Sequence, residues 1–338
     1  MASIVSIATA VPEHCLSTAD ICRALASLRP DARRLAAVSG DVSRVRYVAE
    51  PIEVLTAPRS IEERQAAYRK HALPLAHKVA KEALHGAGLP GRAIDLLITV
   101  SCTGFMIPSL DVYLAEDLGL RPDVVRLPVS QWGCSGGAAG LARAHDWLRA
   151  YPDRHVLVVA VELPSVTFQR ADASIGNLVS SLVFGDGAGA AVLARDVPGQ
   201  LCIEDVAEIL LPESTGSLGF ELKDDGFHVV LDRDLPDQIA ALLPPAVSPF
   251  LERWSDGVPS FAAIHAGGSR ILDRVQQALN LTDDLLASSR RIFEAYGNVS
   301  SASILFVLSA EMPPAPPGMG LAIGIGPGIS VQLLKLRR

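Results

Sequence analysis

The sequence predicts an α/β fold built from two halves. Apolar runs with the length of buried strands alternate along the chain with longer segments of helical spacing. The 338 residues, 49% hydrophobic and 20% charged, suffice for two domains or one duplicated domain with a large core. Proline and glycine near residue 198 mark a boundary, so we predict halves at 1–198 and 199–338.

The first half alternates strands and helices over its whole length. Its predicted strands are IVSIAT (4–9), IDLLITVSC (94–102), VVRLPV (124–129), HVLVVAVEL (155–163) and SSLVFGDGAGAAVLA (180–194). Its clearest predicted helices are 63–88, which ends at a glycine stop signal, 109–120, and 134–150. Such alternation places helices against the faces of buried sheets.

The second half repeats this alternation. FAAIHAGG (261–268) is typical of a strand followed by a turn, and 269–281 and 300–312 have helical spacing. GLAIGIGPGISVQLLKL (320–336) predicts two strands around a glycine loop. The two halves are therefore candidates for related duplicates.

Composition excludes several classes of protein. A net charge of -7 does not favour binding to nucleic acid, and no apolar run reaches the roughly 18 residues of a membrane span. The N-terminus lacks a basic region and a long apolar stretch, which predicts a cytoplasmic protein. Five cysteines without a CxxC pattern predict free thiols, with neither a disulfide framework nor a metal site.

Cys134 is the first candidate nucleophile. It lies in QWGCSGGAAGLA, after a predicted strand and at the start of a predicted helix. The partial positive charge and free N–H groups of a helix N-terminus favour a thiolate. The glycines after it are poor helix formers, and close packing of a central helix between sheets would explain them. A buried, inert cysteine is the alternative.

His265 and Asn298 are the other candidates for chemistry. His265 ends an apolar strand before a glycine turn, where α/β folds place functional groups, although it could be a core histidine. Asn298 lies in AYGNVSSASILF, where it or the serines could simply cap a helix. Together with Cys134 they make a thiol acyl-transfer site: a thiolate takes the acyl group, and a histidine and an amide stabilise an oxyanion.

Five segments follow one another along nearly the whole chain: QWGCSGG, LVFGDGAGAAV, AIHAGGSRIL, YGNVSSASILFVL and GIGPGISVQLL. Together they resemble type III polyketide synthases of the chalcone synthase-like family, most closely its bacterial members. Two positions depart from the family pattern: Ala266 replaces a usual proline, and Ile325 a usual phenylalanine. Both replacements are conservative, so we expect them to alter the shape of the loops beside the catalytic residues rather than the activity.

The resemblance implies a thiolase-like fold, a five-layered sandwich of duplicated αβαβα halves, in a homodimer. It implies that Cys134 accepts a starter acyl group from a CoA thioester. His265 and Asn298 would bind the malonyl-CoA thioester carbonyl and stabilise the enolate left by decarboxylation. We expect a thiolate–imidazolium pair between Cys134 and His265. Acyl-CoA and malonyl-CoA are substrates, and no cofactor is implied.

The resemblance also implies a set of substrate-binding residues. Phe184 would stand between the CoA tunnel and the cavity, and Arg44 or Arg46 would contact CoA phosphates. These arginines belong to an arginine-rich segment, 23–46, that could equally be a solvated helix face. The expected cavity-lining residues are Cys102, Thr167, Phe220 and Ser300, with Ile107 reaching across the dimer.

The resemblance leaves the product open. The segment GSLGFELKDDGFHVVLDRDLP is similar to that of alkylpyrone or alkylresorcinol synthases, which favours a fatty-acyl-CoA starter. Cys102 is similar instead to a residue of 1,3,6,8-tetrahydroxynaphthalene synthases. A ketoacyl-carrier-protein synthase III-like condensing enzyme shares the Cys/His/Asn set, but it predicts an asparagine soon after the histidine, where this chain has HAGGSR.

Overall fold

A computed structural model describes the chain over 1–28, 45–198, 200–254, 259–312, 314 and 316–338. The strands in these residues are β1 (Ala2–Ala10), β2 (His14–Ser17), β3 (Val45–Val48), β4 (Leu96–Val100), β5 (Val125–Val129), β6 (Val156–Glu162), β7 (Gly187–Arg195), β8 (Leu201–Leu210), β9 (Leu218–Lys223), β10 (Gly226–Leu231), β11 (Phe261–Ile264), β12 (Met319–Gly326) and β13 (Ser330–Arg337). The helices are α1 (Thr18–Leu28), α2 (Ile52–Leu55), α3 (Ile61–Gly86), α4 (Leu110–Asp117), α5 (Gly136–Ala150), α6 (Ile175–Val183), α7 (Leu235–Leu251), α8 (Ser269–Leu279), α9 (Asp283–Tyr296) and α10 (Ser303–Ser309).

One large mixed sheet joins both halves of the chain. Its strand order is β11-β12-β13-β8-β1-β7-β6-β4-β5, so the strands before residue 198 lie on one side and those after it on the other. β1 and β8 make the connection by a short antiparallel pairing from Ala2–Ile203 to Ile4–Leu201. β4 pairs in parallel with both β5 and β6, and β11 with β12, which brings the carboxyl ends of these strands to common edges.

Two buried helices, α5 and α10, pack against each other and against strands of both halves. The glycines at the start of α5 allow this approach. A Cβ at Gly137 would lie 2.1 Å from the carbonyl oxygen of Ser301, and one at Gly136 would lie 2.5 Å from Val100. The close packing of a central helix that the glycine cluster predicts is therefore observed.

The structure corrects one predicted strand. Residues 180–183 are the last turn of α6, whose N-terminus is capped by the Ser174 side chain accepting from the Asn177 N–H. Phe184 is the first extended residue and pairs with Asn298 as an isolated bridge, and the strand begins only at Gly187. Continuous apolar composition hid this boundary, because a short apolar run fits a buried helix as well as a strand.

Candidate active site

The structure buries all three predicted catalytic residues and brings Asn298 next to Cys134 and next to the turn that follows His265. Cys134 lies in a 3-10 turn between β5 and α5, His265 directly follows β11, and Asn298 lies between α9 and α10. They are 6%, 3% and 3% exposed. Asn298 Nδ2 lies 4.0 Å from Cys134 Sγ and 3.2 Å from the carbonyl oxygen of Gly267, two residues after His265.

The C-terminal glycine loop supports the nucleophile turn. Gly133, at φ 50°, precedes Cys134 and packs against Pro327, where an added Cβ would lie 2.5 Å from the ring. Only glycine adopts this left-handed conformation without strain and without that clash. The GIGPG segment, a weak motif by itself, thus helps to hold Cys134.

Asn298 is held in one orientation by its own neighbours. Its Oδ1 accepts hydrogen bonds from the Ser300 N–H at 2.8 Å and from Ser303 Oγ at 3.4 Å. The amide nitrogen donates to the carbonyl oxygen of Gly267 and also points towards Cys134 Sγ. A fixed donor beside a thiol is the arrangement that stabilises a negatively charged thioester oxygen.

Burial governs the charges of Cys134 and His265. It raises the pKa of Cys134 to about 12, against the opposing hydrogen bonds of Ser300 and Asn298, and it lowers the pKa of His265 to about 4. Both shifts favour the neutral thiol and the neutral imidazole near pH 7. The structure therefore differs from the expected thiolate–imidazolium pair, because the interior solvates neither charge and no hydrogen bond joins the two side chains among the described residues.

A buried glutamate was missed by sequence reasoning. Glu162, at the end of β6, accepts hydrogen bonds from Thr103 Oγ1 at 2.9 Å, Ser301 Oγ at 2.5 Å and the Cys102 N–H. Burial raises its pKa. The available signal was a single carboxylate ending an otherwise apolar strand, VLVVAVE. Glu162 links the loop after β4 to the Ser300–Ser301 turn.

Cys102 and Ser300 lie on the Cys134 side of the site. The Ser300 hydroxyl is 3.6 Å from Cys134 Sγ and 3.7 Å from Cys102 Sγ, so it bridges the two thiols. Burial raises the pKa of Cys102 well above its usual value, and nearby Glu162 adds to this shift. A second thiol therefore lies close to the nucleophile.

Thr167, Phe184 and Phe220 line a separate, mostly apolar cavity of about 90 Å³. Phe220 is 38% exposed and its ring lies 5.8 Å from that of Phe227, centroid to centroid. Phe184 connects this cavity to the catalytic residues through its bridge with Asn298. Ile107 is not at the cavity: it is 85% exposed, and its expected reach into a partner subunit stays a prediction.

Of the two arginines expected to contact CoA phosphates, the structure describes only Arg46. Arg44 lies outside the described residues. Arg46, on β3, is 1% exposed and lines the cavity beside Phe184. A CoA phosphate at the protein surface would not meet this side chain, so a contact between them stays a prediction that requires entry into the cavity.

The described part of the chain contains no cluster of three or more His, Cys, Asp and Glu side chains placed to hold a metal ion. None of the helices resolved here is both long enough and apolar enough to cross a membrane.

Comparison with known proteins identifies the family. Residues 41–197 match the N-terminal domain of chalcone and stilbene synthases, and residues 203–338 match their C-terminal domain. The chain belongs to the chalcone and stilbene synthase family. It is a type III polyketide synthase, an acyltransferase with the thiolase-like α/β fold, as the sequence motifs predicted.

Known relatives of this polyketide synthase align with most of its length. It is 37% identical to a 1,3,6,8-tetrahydroxynaphthalene synthase of Streptomyces peucetius, over 99% of this chain and 93% of the relative. It is 32% identical to an alpha-pyrone synthesis polyketide synthase-like protein of Mycobacterium tuberculosis, over 81% and 73% of the two chains. The crystal structure of the Streptomyces coelicolor tetrahydroxynaphthalene synthase superposes with a TM-score of 0.93 at 31% identity, covering 99% of both chains.

Proposed function

We propose that this polyketide synthase loads an acyl group from a CoA thioester onto Cys134, extends it with malonyl-CoA by decarboxylative condensation, and cyclises the product. The observation that carries the proposal is the Asn298 amide, fixed by Ser300 and Ser303 so that its Nδ2 donates towards Cys134 Sγ. That geometry suits an oxyanion on a thioester bound at the nucleophile.

Loading requires a proton transfer, because both partners rest in their neutral forms. His265 takes the proton of Cys134 as the sulfur attacks the thioester carbonyl, and the proton leaves with CoA as its free thiol. In extension, malonyl-CoA loses CO₂ and leaves an enolate whose oxygen Asn298 and His265 stabilise. The enolate carbon attacks the acyl group on Cys134, and the carbon–sulfur bond to the enzyme breaks.

A fatty-acyl-CoA starter and an alkylpyrone or alkylresorcinol product are our first choice. The support is the apolar wall of the cavity beside Phe184, built largely by aliphatic and aromatic side chains: Leu16, Ile21, Leu25, Ile52, Leu55 and Phe168. An acyl tail would bury its methylene groups there at about 0.8 kcal/mol for each.

A second product class is favoured by one specific contact. Cys102 places its thiol next to the Ser300 hydroxyl that also contacts Cys134. Relatives named tetrahydroxynaphthalene synthases are 33% to 37% identical to this chain. A 1,3,6,8-tetrahydroxynaphthalene-type synthase is therefore the alternative.

We further propose a cytoplasmic homodimer. Ile107 and Phe105 are 85% and 65% exposed on one loop, and the edge strand β5 presents Val125 and Leu127 to solvent. A second copy would cover these apolar side chains, since a bare apolar sheet edge favours association. All five cysteines are free, which suits a reducing compartment.

The test is a product assay with purified enzyme. Malonyl-CoA is supplied alone and with acyl-CoAs of increasing chain length, and products are identified by mass spectrometry. Alkylpyrones or alkylresorcinols with long acyl-CoAs support the first choice, and a naphthalene product from malonyl-CoA alone supports the alternative. Absence of any Cys134-dependent product under both conditions would contradict the proposed activity.

A further inference from the structure

Two polar groups in the cavity beside Phe184 have unmet hydrogen-bonding capacity. Arg46 and Ser180 both line this cavity. Arg46 Nε and Nη2 and Ser180 Oγ are buried and have no hydrogen-bond partner among the described residues. Only Nη1 of the guanidinium is used, donating to the carbonyl oxygen of Val45 at 2.7 Å.

The other hydroxyl and amide groups lining the cavity are satisfied within the protein. Their donors bind nearby carbonyl or carboxylate oxygens: Thr56 to Ile52, Ser165 to Asp186, Thr167 to Pro164, Asn177 to Gln169 and Ser181 to Asn177. Buried polar groups in folded proteins are nearly always paired in this way. The two unpaired groups thus stand out within one cavity, and both could be satisfied by a ligand there.

Arg46 also carries a charge that no carboxylate among the described residues neutralises. Burial lowers its pKa to about 9, so the guanidinium stays largely protonated at neutral pH. Desolvation is the sole cause of this shift, and no carboxylate opposes it among the described residues. A buried charge without a counterion is costly, and a bound anion would remove that cost.

The position of Arg46 connects it to the catalytic residues. Its side chain runs along Gly297, where an added Cβ would lie 2.9 Å from Arg46 Cδ, and along Gly185, where the distance would be 3.5 Å. Gly297 directly precedes Asn298, and Gly185 directly follows Phe184. The Arg46 side chain therefore packs against the backbone beside the Phe184–Asn298 bridge, and it lines the cavity that Phe184 also lines.

We propose that Arg46 and Ser180 form a binding subsite for a planar, delocalised oxyanion of the substrate. The ligand chemistry is a carboxylate or the enolate of a 1,3-diketone, the arrangement of carbonyl groups that successive two-carbon malonyl extensions build into a growing chain. A guanidinium binds such an oxygen pair in a bidentate manner, and a hydroxyl can add a third hydrogen bond. This inference rests on the proposed function and assigns a polar anchor to its otherwise apolar cavity.

The experiment measures binding of three small probes to the full-length protein by isothermal titration calorimetry. Butyrate represents the carboxylate, pentane-2,4-dione at mildly alkaline pH the enolate, and pentan-2-one is the neutral control. Arg46→Met should lower the affinity for both anionic probes by about tenfold or more and leave the affinity for pentan-2-one unchanged. Binding of only one anionic probe would assign the subsite to that chemistry.

Matched variants separate binding from folding. Ser180→Ala should lower the affinity for the anionic probes by about two- to tenfold. Ser181→Ala removes a hydroxyl that already donates to the Asn177 carbonyl oxygen, so it should leave that affinity unchanged. Arg46→Met should not lower the melting temperature, since it removes a buried charge that has no counterion among the described residues. Arg64→Met should lower it, because Arg64 donates to the carbonyl oxygens of Asp225, Val166 and Phe168.

Equal probe affinities in wild type, Arg46→Met and Ser180→Ala would overturn the subsite. If Arg46→Met does not fold, Arg46→Lys replaces it: a single ammonium should still weaken the anionic probes several-fold, and unchanged affinity would overturn the proposal. A wild-type enzyme that makes polyketides but binds the probes independently of Arg46 refutes this inference alone. Arg46-dependent binding by a protein that makes no polyketide refutes the proposed function alone.

Discussion

Replacing Gly137 with alanine tests how the two halves assemble the active site. Gly137 lies three residues after Cys134, and Ser301 lies three residues after Asn298. The new methyl group would sit 2.1 Å from the Ser301 carbonyl oxygen, whereas real Cβ contacts essentially never fall below 3.0 Å. The backbone at Ser301 must therefore move by about 1 Å relative to α5, since a carbonyl cannot rotate away as a flexible side chain can.

The expected stability loss follows from two opposing effects. Alanine gains up to about 1 kcal/mol of helix propensity over glycine, while overpacking a buried contact costs about 1–3 kcal/mol or more. We expect a net loss of about 2 kcal/mol. For 338 residues the entropy of unfolding is about 0.7 kcal/mol/K, so the melting temperature should fall by about 3 °C. Misplacing catalytic groups by about 1 Å should lower turnover by about 10²-fold.

The assay combines calorimetric melting with malonyl-CoA decarboxylation. Gly216→Ala is the matched control, because an added Cβ there meets nothing within 4 Å. It should leave both readouts close to wild type. A Gly137→Ala enzyme with unchanged melting temperature and full turnover would refute the view that this glycine sets the distance between Cys134 and Asn298.

Four other outcomes are expected. Cys134→Ala should abolish acyl loading, seen as a missing adduct by intact-mass spectrometry, whereas Cys202→Ala should load normally. Asn298→Ala should slow malonyl-CoA decarboxylation by about 10²-fold, and a near-wild-type rate would remove it from the oxyanion site. Phe220→Gly should stay folded, because the ring is 38% exposed and lines the cavity, and its products should shift towards longer starters or more malonyl units; an unchanged spectrum speaks against this. Burial lowers the pKa of His265 from its ordinary 6.5 to about 4, so the unfolded chain binds a proton at this residue more readily than the folded protein does. The contribution of His265 to the free energy of unfolding is therefore complete above pH 6.5 and is lost as the pH falls towards 4. Urea titrations should show that wild type loses about 2 kcal/mol of stability through this residue at pH 5, and that His265→Gln does not.

Local sequence determined the order of elements and the identity of the family. Mostly apolar runs of strand length at 94–102 and 155–163 became β4 and β6, because short runs rich in Val, Ile and Leu suit strands that are buried on both faces of a sheet. The glycines after Cys134 indicated a close approach of a central helix. Cys134, His265 and Asn298 were recognisable because each follows a strand or precedes a helix within its own motif.

The tertiary structure alone determined which residues contact one another in the site and which protonation states burial favours. Ser300 contacts Cys134 across 166 residues of sequence, and Glu162 accepts a hydrogen bond from the Cys102 N–H across 60 residues. No local pattern specifies such contacts. The neutral resting forms of Cys134 and His265 follow from burial, which depends on everything packed around them. Arg46 shows this most clearly. From the sequence, an arginine in a basic segment is expected at the surface. Only the fold places its charge, which has no counterion among the described residues, inside an apolar cavity where desolvation favours the binding of an anion.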